Sequence, residues 1–170
     1  MRDRIDAILQ KKQAEYLDSL VPSREVLLLE MERVAGEEGQ PIADPEVAHF
    51  LRLLVGMTRP ERVLEIGTNI GYSVVVMGRL LKAGAVLDTI ELRPALRDRA
   101  RSFASRAGIE ATLEFHLGAA LDVLPRLHGP WDLVFIDCVN VKVKDGQVAN
   151  RPVYTAVAVT ADGHRDTLGL

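Results

Sequence analysis

The sequence predicts an α/β domain with a mostly parallel central sheet, helices ahead of it and an antiparallel hairpin at its C-terminal end. Three observations carry this. Short apolar runs alternate with helix-period stretches from Arg62 to Asp137. Two glycines, Gly67 and Gly71, directly follow the first apolar run. Beyond Asp137 the alternation stops, and strand-like segments follow one another.

The elements follow in order. Ile5, Ile8, Leu9, Tyr16 and Leu17 recur at helical spacing over residues 3–19. Pro22-Ser23 breaks that run, and Ser23 can cap a second helix carrying Val26, Leu27, Leu29, Met31 and Val34. Asp44-Pro45 starts a third helix, with Val47, Phe50, Leu51 and Leu54 on its apolar face. "RVLEIG" then reads as a buried strand, "YSVVVMGRLLKAG" as a helix and "AVLDTIEL" as a strand. "RPALRDRARSFASRAG" is a helix stopped by Gly108, "ATLEFHLG" a strand, "AALDVLPRL" a short helix and "WDLVFID" a strand. Alternation of this kind makes βαβ units, whose sheet is parallel and covered on both faces. "VNVKVKDGQVAN" alternates instead, with a turn signal at Asp145-Gly146. "YTAVAVTADGHRDTLGL" reads as two strands joined at Asp162-Gly163.

Ligands of such sheets bind beyond the carboxyl ends of the strands, where strand order reverses. Gly67 and Gly71 leave the backbone after the first strand open to close approach. The helix that follows directs N–H groups at the same place. Glu91 ends the second strand, where an acid accepts hydrogen bonds from ribose hydroxyls. The loop reads G-T-N-I-G and lacks the third glycine of a dinucleotide fingerprint. It also carries Glu65, a carboxylate that a pyrophosphate would disfavour. A cationic, amino-acid-bearing adenosine, S-adenosylmethionine, fits better, and a nicotinamide dehydrogenase is disfavoured. Asn69 inside the loop and Leu92 after the acid join the candidate set.

"VLEIGTNIGYS", "TIELRP", "LGAALDVLPRL" and "WDLVFID", in this order and spacing, resemble the cation-dependent O-methyltransferases of the catechol and caffeoyl-CoA type. "PIADPEVAHFLRLLVGMTRPERV" resembles that family's approach to its first strand. The resemblance implies a Rossmann-like class I methyltransferase fold, S-adenosylmethionine as methyl donor and a homodimer. Glu65 and Gly67 would then approach the methionine end of the cofactor. Tyr72 and Ser73 would help hold its carboxylate, Glu91 the ribose, and Ala119 and Ala120 would border the adenine. The whole chain reads as one domain: helices over 1–58, a cofactor-binding half over 62–137 and an incomplete C-terminal part over 139–170.

The catalytic half matches less well. The family's divalent cation, Mg²⁺ or Ca²⁺, takes oxygen ligands and lowers the pKa of the acceptor hydroxyls. Asp137 matches the first ligand and is the candidate catalytic and metal residue, and it also joins the candidate cofactor-binding set. Read continuously, the position of the family's lysine is Asn140. Read instead against the family's later Asp-Asn stretch, Asn140 becomes an amide ligand and Val139 replaces an acid. The second alignment leaves a deficit of about 20 residues between Cys138 and Val139, judged by ordinary helix and strand lengths. A further helix is wanting after Arg151-Pro152. Either these segments are lost or residues are missing there. A sheet without its crossover helices would bare apolar faces, which favours the second account.

The remaining expectations come from composition. The chain has 170 residues, 48% hydrophobic and 26% charged, with a net charge of −3, which gives no electrostatic footprint for nucleic acid. Arg93, Arg97, Arg99, Arg101 and Arg106 fall on one helix beside Glu91 and Asp98 and read as a solvated face. Cys138 is the single cysteine, the N-terminus is too polar for a signal peptide, and no apolar run reaches membrane-spanning length. These point to a cytoplasmic protein. His49 and His116 read as structural. The expected activity is methyl transfer to a hydroxyl of a small, catechol-like acceptor. The rival is a cofactor-binding or regulatory protein without catalysis.

Overall fold

A computed structural model describes residues 16, 19, 20 and 25–136 with their side chains, and the backbone alone of 137–145, 147–159 and 165–168. Most of the predicted first helix, Ser23, Gly146 and the turn at Asp162-Gly163 lie outside the described residues.

Helix α1, Val26–Glu38, buries Leu27, Leu28, Met31 and Ala35 along one stripe. It stops at Gly39, whose φ of 65° closes the helix in the left-handed region where glycine carries no Cβ penalty. Helix α2, Pro45–Thr58, starts as its sequence indicates, with Asp44 at the N-cap and Pro45 at the first helical position. Ala48, Leu51, Leu54 and Val55 face inward from it.

Strands β1 (Arg62–Ile66), β2 (Val86–Glu91) and β3 (Thr112–Leu117) alternate with α3 (Tyr72–Gly78) and α4 (Pro94–Ser105). A four-residue helix α5, Ala120–Val123, and a 3₁₀ turn, Leu124–Arg126, lead to β4, Leu133–Asp145. The sheet order is β3-β2-β1-β4-β5-β6. The first four strands are mutually parallel, with Val63–Ile66 opposite Leu133–Ile136. Strands β5 (Gln147–Val159) and β6 (Arg165–Leu168) continue the sheet antiparallel. Strand order therefore reverses between β1 and β4, and a ligand crevice belongs at their carboxyl ends.

Helix α3 is shorter than the sequence pattern suggests. It ends at Gly78, and Leu80 and Leu81 close tight turns onto Met77 and Gly78 instead. Val74, Val75 and Val76 are entirely buried, so packing holds them helical despite their β-branching. A Cβ on Gly78 would come within 2.9 Å of the end of the Ile109 side chain, which would have to shift to admit it.

The two sheet faces are covered unequally. One carries α1 to α4 and a continuous core that includes Met31, Leu51, Val55, Val63, Leu87, Phe103, Leu133 and Phe135. On the other, the buried apolar cluster among the described residues is Leu64, Ile90 and Val123, with Ile66, Leu124, Leu127, Trp131 and Val134 packed against them. The arginines of α4 largely have partners. Arg99 pairs with Glu38, Arg106 with Glu30 at 2.5 Å, and Arg97 with Asp98 at 2.6 Å. Among the described residues no helix is long and apolar enough to cross a membrane.

Candidate cofactor-binding site

The site forms where β1 and β2 end. Gly67 takes φ 103°, and the N–H groups of Gly67 and Thr68 donate to the Ile90 carbonyl at 3.0 and 3.2 Å. The glycine loop is thereby fastened to β2. Gly71 takes φ 84°, and a Cβ there would lie 2.9 Å from the Ala100 Cβ of α4. Gly71 is thus required by helix packing as well as by its backbone conformation.

Glu91 is buried at the tip of β2. Its Oε2 accepts the Asn69 N–H at 2.7 Å, and its Oε1 accepts the Arg93 N–H at 2.9 Å. Each carboxylate oxygen keeps a second lone pair for a ligand hydroxyl. Glu91 is therefore fixed between two loops in the place the sequence reading gave it.

Asn69 has φ 49°, and its Nδ2 donates to the Pro41 carbonyl at 2.6 Å, joining the segment between α1 and α2 to the loop. Its Oδ1 is buried and has no hydrogen-bond partner. A buried amide oxygen without a donor is costly. It leaves an acceptor in the cradle for a ligand N–H or O–H, which suits a polar cofactor rather than an apolar one.

Glu65 lies beneath the loop, fully buried. It accepts from the Ser73 hydroxyl, and from Thr89 Oγ1 at 2.5 Å. Thr89 is in turn 2.5 Å from the Thr68 hydroxyl. A hydroxyl network thus ties the carboxyl group under the loop to β2 and to the start of α3. Tyr72 donates its hydroxyl to Glu32 of α1 at 2.7 Å, anchoring α1 to the start of α3. Leu92 is exposed at the rim, 67% accessible. Gly118 after β3 donates to the Glu91 carbonyl at 3.0 Å, which brings the exposed Ala119 and the half-buried Ala120 to the same end of the sheet. The backbone of Asp137 follows Ile136, the partner of Ile66, so it adjoins the glycine loop. The side chains of Asp137 and Asn140 lie outside the described residues. Among the described residues no three His, Cys, Asp or Glu side chains gather as a cation site.

Two arrangements escape the sequence reading. One is Thr89 with Thr68, which complete the Glu65 network. The other lies on the less covered face, where buried Asp88 accepts from His116 Nε2 at 2.8 Å, Trp131 Nε1 at 3.1 Å and Arg62 at 3.3 Å. Burial pushes the Asp88 carboxyl up, but the hydrogen bonds from Trp131, His116 and Arg62 and the His116 charge together hold it below its usual value. His116 is structural in this setting, as its sequence context suggests. Adjacent polar residues Asp88-Thr89 inside an apolar strand were the available signal, since successive side chains face opposite sides of a sheet.

Residues 23–143 match the O-methyltransferase family. Residues 125–170 also match a second family, the Mutator-family transposases. The catechol O-methyltransferase of Niastella koreensis is 32% identical over 146 residues, covering 82% of this chain and 61% of that protein. The Mycobacterium tuberculosis catechol O-methyltransferase is 44% identical over 89 residues, covering 52% of this chain and 40% of that protein. The chain thus spans less than two thirds of the length of these relatives. The Bacillus cereus O-methyltransferase solved with S-adenosylhomocysteine (SAH) superposes with a TM-score of 0.65 at 25% identity, over 74% of this chain and 72% of that one. A Streptomyces achromogenes O-methyltransferase of tomaymycin synthesis, solved with S-adenosylmethionine, gives a TM-score of 0.65 at 25% identity, over 76% and 74%.

Proposed function

This chain belongs to the O-methyltransferase family, and from that premise we propose that it binds S-adenosylmethionine across the carboxyl ends of β1 and β2. The observation that carries this reading is Glu91, held at the tip of β2 by the N–H groups of Asn69 and Arg93 with lone pairs left for ribose hydroxyls. Glu65 beneath the loop favours the cationic methionine end electrostatically, and Leu92, Ala119 and Ala120 border the adenine. The unpartnered Asn69 Oδ1 accepts a hydrogen bond from the ligand.

The reaction of this reading is methyl transfer to a hydroxyl of a small, catechol-like acceptor. An oxygen lone pair forms the new C–O bond as the C–S bond breaks. SAH departs with that bond's electron pair, and the acceptor proton leaves to water or a base. The chain's part is to hold donor and acceptor in line. Asp137, beside the glycine loop, is the proposed contact to the acceptor or to a divalent cation, with Asn140 as a second oxygen donor. A cation would lower the acceptor pKa. The resemblance also implies a homodimer, for which Phe50, Leu53 and Met57 offer an exposed apolar stripe on α2. Light scattering at the protein's working concentration reads that mass directly.

One observation favours a second reading, binding without transfer: residues 125–170, which include Val139 and Asn140, also match the transposases. Calorimetry with SAH and NADH tests the cofactor, and only the first should bind. Transfer to catechol with and without Mg²⁺ then separates the two readings.

A further inference from the structure

We infer that the chain is a fusion, in which an O-methyltransferase ends near Asp137 and the segment after it derives from a Mutator-family transposase. The inference rests on the adenosyl-binding reading, and it decides between the two readings above in favour of binding without transfer.

Four observations meet at one place. The two family matches, 23–143 and 125–170, overlap across β4. Within that overlap the β4–β5 pairing is interrupted. Ile136 lies opposite Thr155 and Val139 opposite Val153, so β4 spends one residue more than β5. The parallel pairing of β4 with β1 also ends at Ile136, whereas its antiparallel pairing with β5 runs on both sides of that point, from Leu133 to Asp145. The sequence pattern changes at the same point. "LVFI" is the continuous apolar run of a strand buried on both faces, whereas "VNVKVK" alternates as an antiparallel strand with one wet face does.

The connections change as well. Every strand before β4 is followed by a helix, whereas β4 and β5 are separated by Gly146 alone. A parallel crossover needs about a dozen residues or more. The helices that would cover the second face are therefore not supplied between these strands, and among the described residues the buried apolar cluster of that face is the small one of Leu64, Ile90 and Val123. A methyltransferase that had merely lost a loop would keep its pattern on both sides of the gap. Here the end of the β1 pairing, the break in the β4–β5 register and the change of residue pattern fall within a few residues of Asp137, inside the stretch 125–143 that both family matches cover.

Two consequences follow. Asn140 and Val139 are not altered metal-ligand positions but residues of another protein's strand. The donor cradle, Glu65 to Glu91, lies wholly on the methyltransferase side of the junction.

The test reads the DNA first. Genomic sequencing should find the codons for residues 138–170 at a further locus, within a longer transposase reading frame and not preceded by codons for residues 1–137. Finding them only here, followed by an uninterrupted methyltransferase frame, overturns the inference. The second arm is enzymatic. A variant in which residues 138–170 are replaced by the C-terminal half of the Niastella koreensis relative should methylate catechol with Mg²⁺. The natural chain should stay below about one hundredth of that rate, because donor and acceptor are no longer held together. A natural chain as fast as the graft overturns the inference. Failure of the natural chain to bind SAH counts instead against the cofactor reading, and the DNA result is independent of it.

Discussion

The stretch from β1 to β3 and the stretch after Ile136 lie in one sheet but are built by different rules. In the first, each strand passes to a helix, and buried polar groups converge on the strand tips: Glu65 with Ser73 and Thr89, Glu91 with Asn69 and Arg93. In the second, strand passes to strand, and the ladder runs on past the end of β1. The difference teaches that continuity of a sheet does not establish a common origin or a shared task. Pairing satisfies backbone groups wherever two strands meet, whereas a ligand site needs side chains brought to one edge by several separate connections.

The largest effect should come from the region where packing is tightest. Gly71→Val puts a branched side chain at φ 84° against Ala100. Left-handed strain and overpacking together should cost about 2–5 kcal/mol. A melting scan should show Tm falling by roughly 5–15 °C, and an unchanged Tm contradicts the packing described. Thr89→Val keeps the shape but removes a donor to buried Glu65. It should cost about 1.5–3 kcal/mol, as expected for a hydrogen bond to a charged group, read from denaturant midpoints.

Asp88 sharpens the comparison on the less covered face. Its folded pKa is depressed, so the stability it contributes is present above its unfolded pKa of about 3.8. That stability is lost as pH falls through the lower folded value. Asp88→Asn should therefore flatten the decline in stability below about pH 4. An acid-unfolding curve as steep as that of the natural protein contradicts the linkage. The smallest effect belongs to the other region. Asn140→Ala should leave SAH affinity within about twofold of its starting value, since it adds no cradle group.

The sequence made the strands of both regions legible, but a candidate binding chemistry in the first alone. Apolar runs and Gly/Pro punctuation located β1 to β3, and with β2 the strand tip on which Glu91 sits. Asn69 bonding to Pro41 is a pairing between distant residues, which no periodicity encodes. Thr89 stands within a strand segment, and its partner, Glu65, lies on a neighbouring strand. Gly71 was read as room for a ligand, and the structure adds a second demand from Ala100. The segment after Asp137 has good strand propensity, but propensity carries no record of which protein a strand came from.

The central claim is that an adenosyl ligand lies over the tips of β1 and β2 with its ribose held by Glu91. Calorimetric titration of SAH into the natural chain and into Glu91→Ala tests it most directly. Losing hydrogen bonds to a carboxylate should weaken binding by roughly 10- to 100-fold, with Tm in the absence of ligand changed far less than by Gly71→Val. Equal affinity for the two proteins would contradict the account.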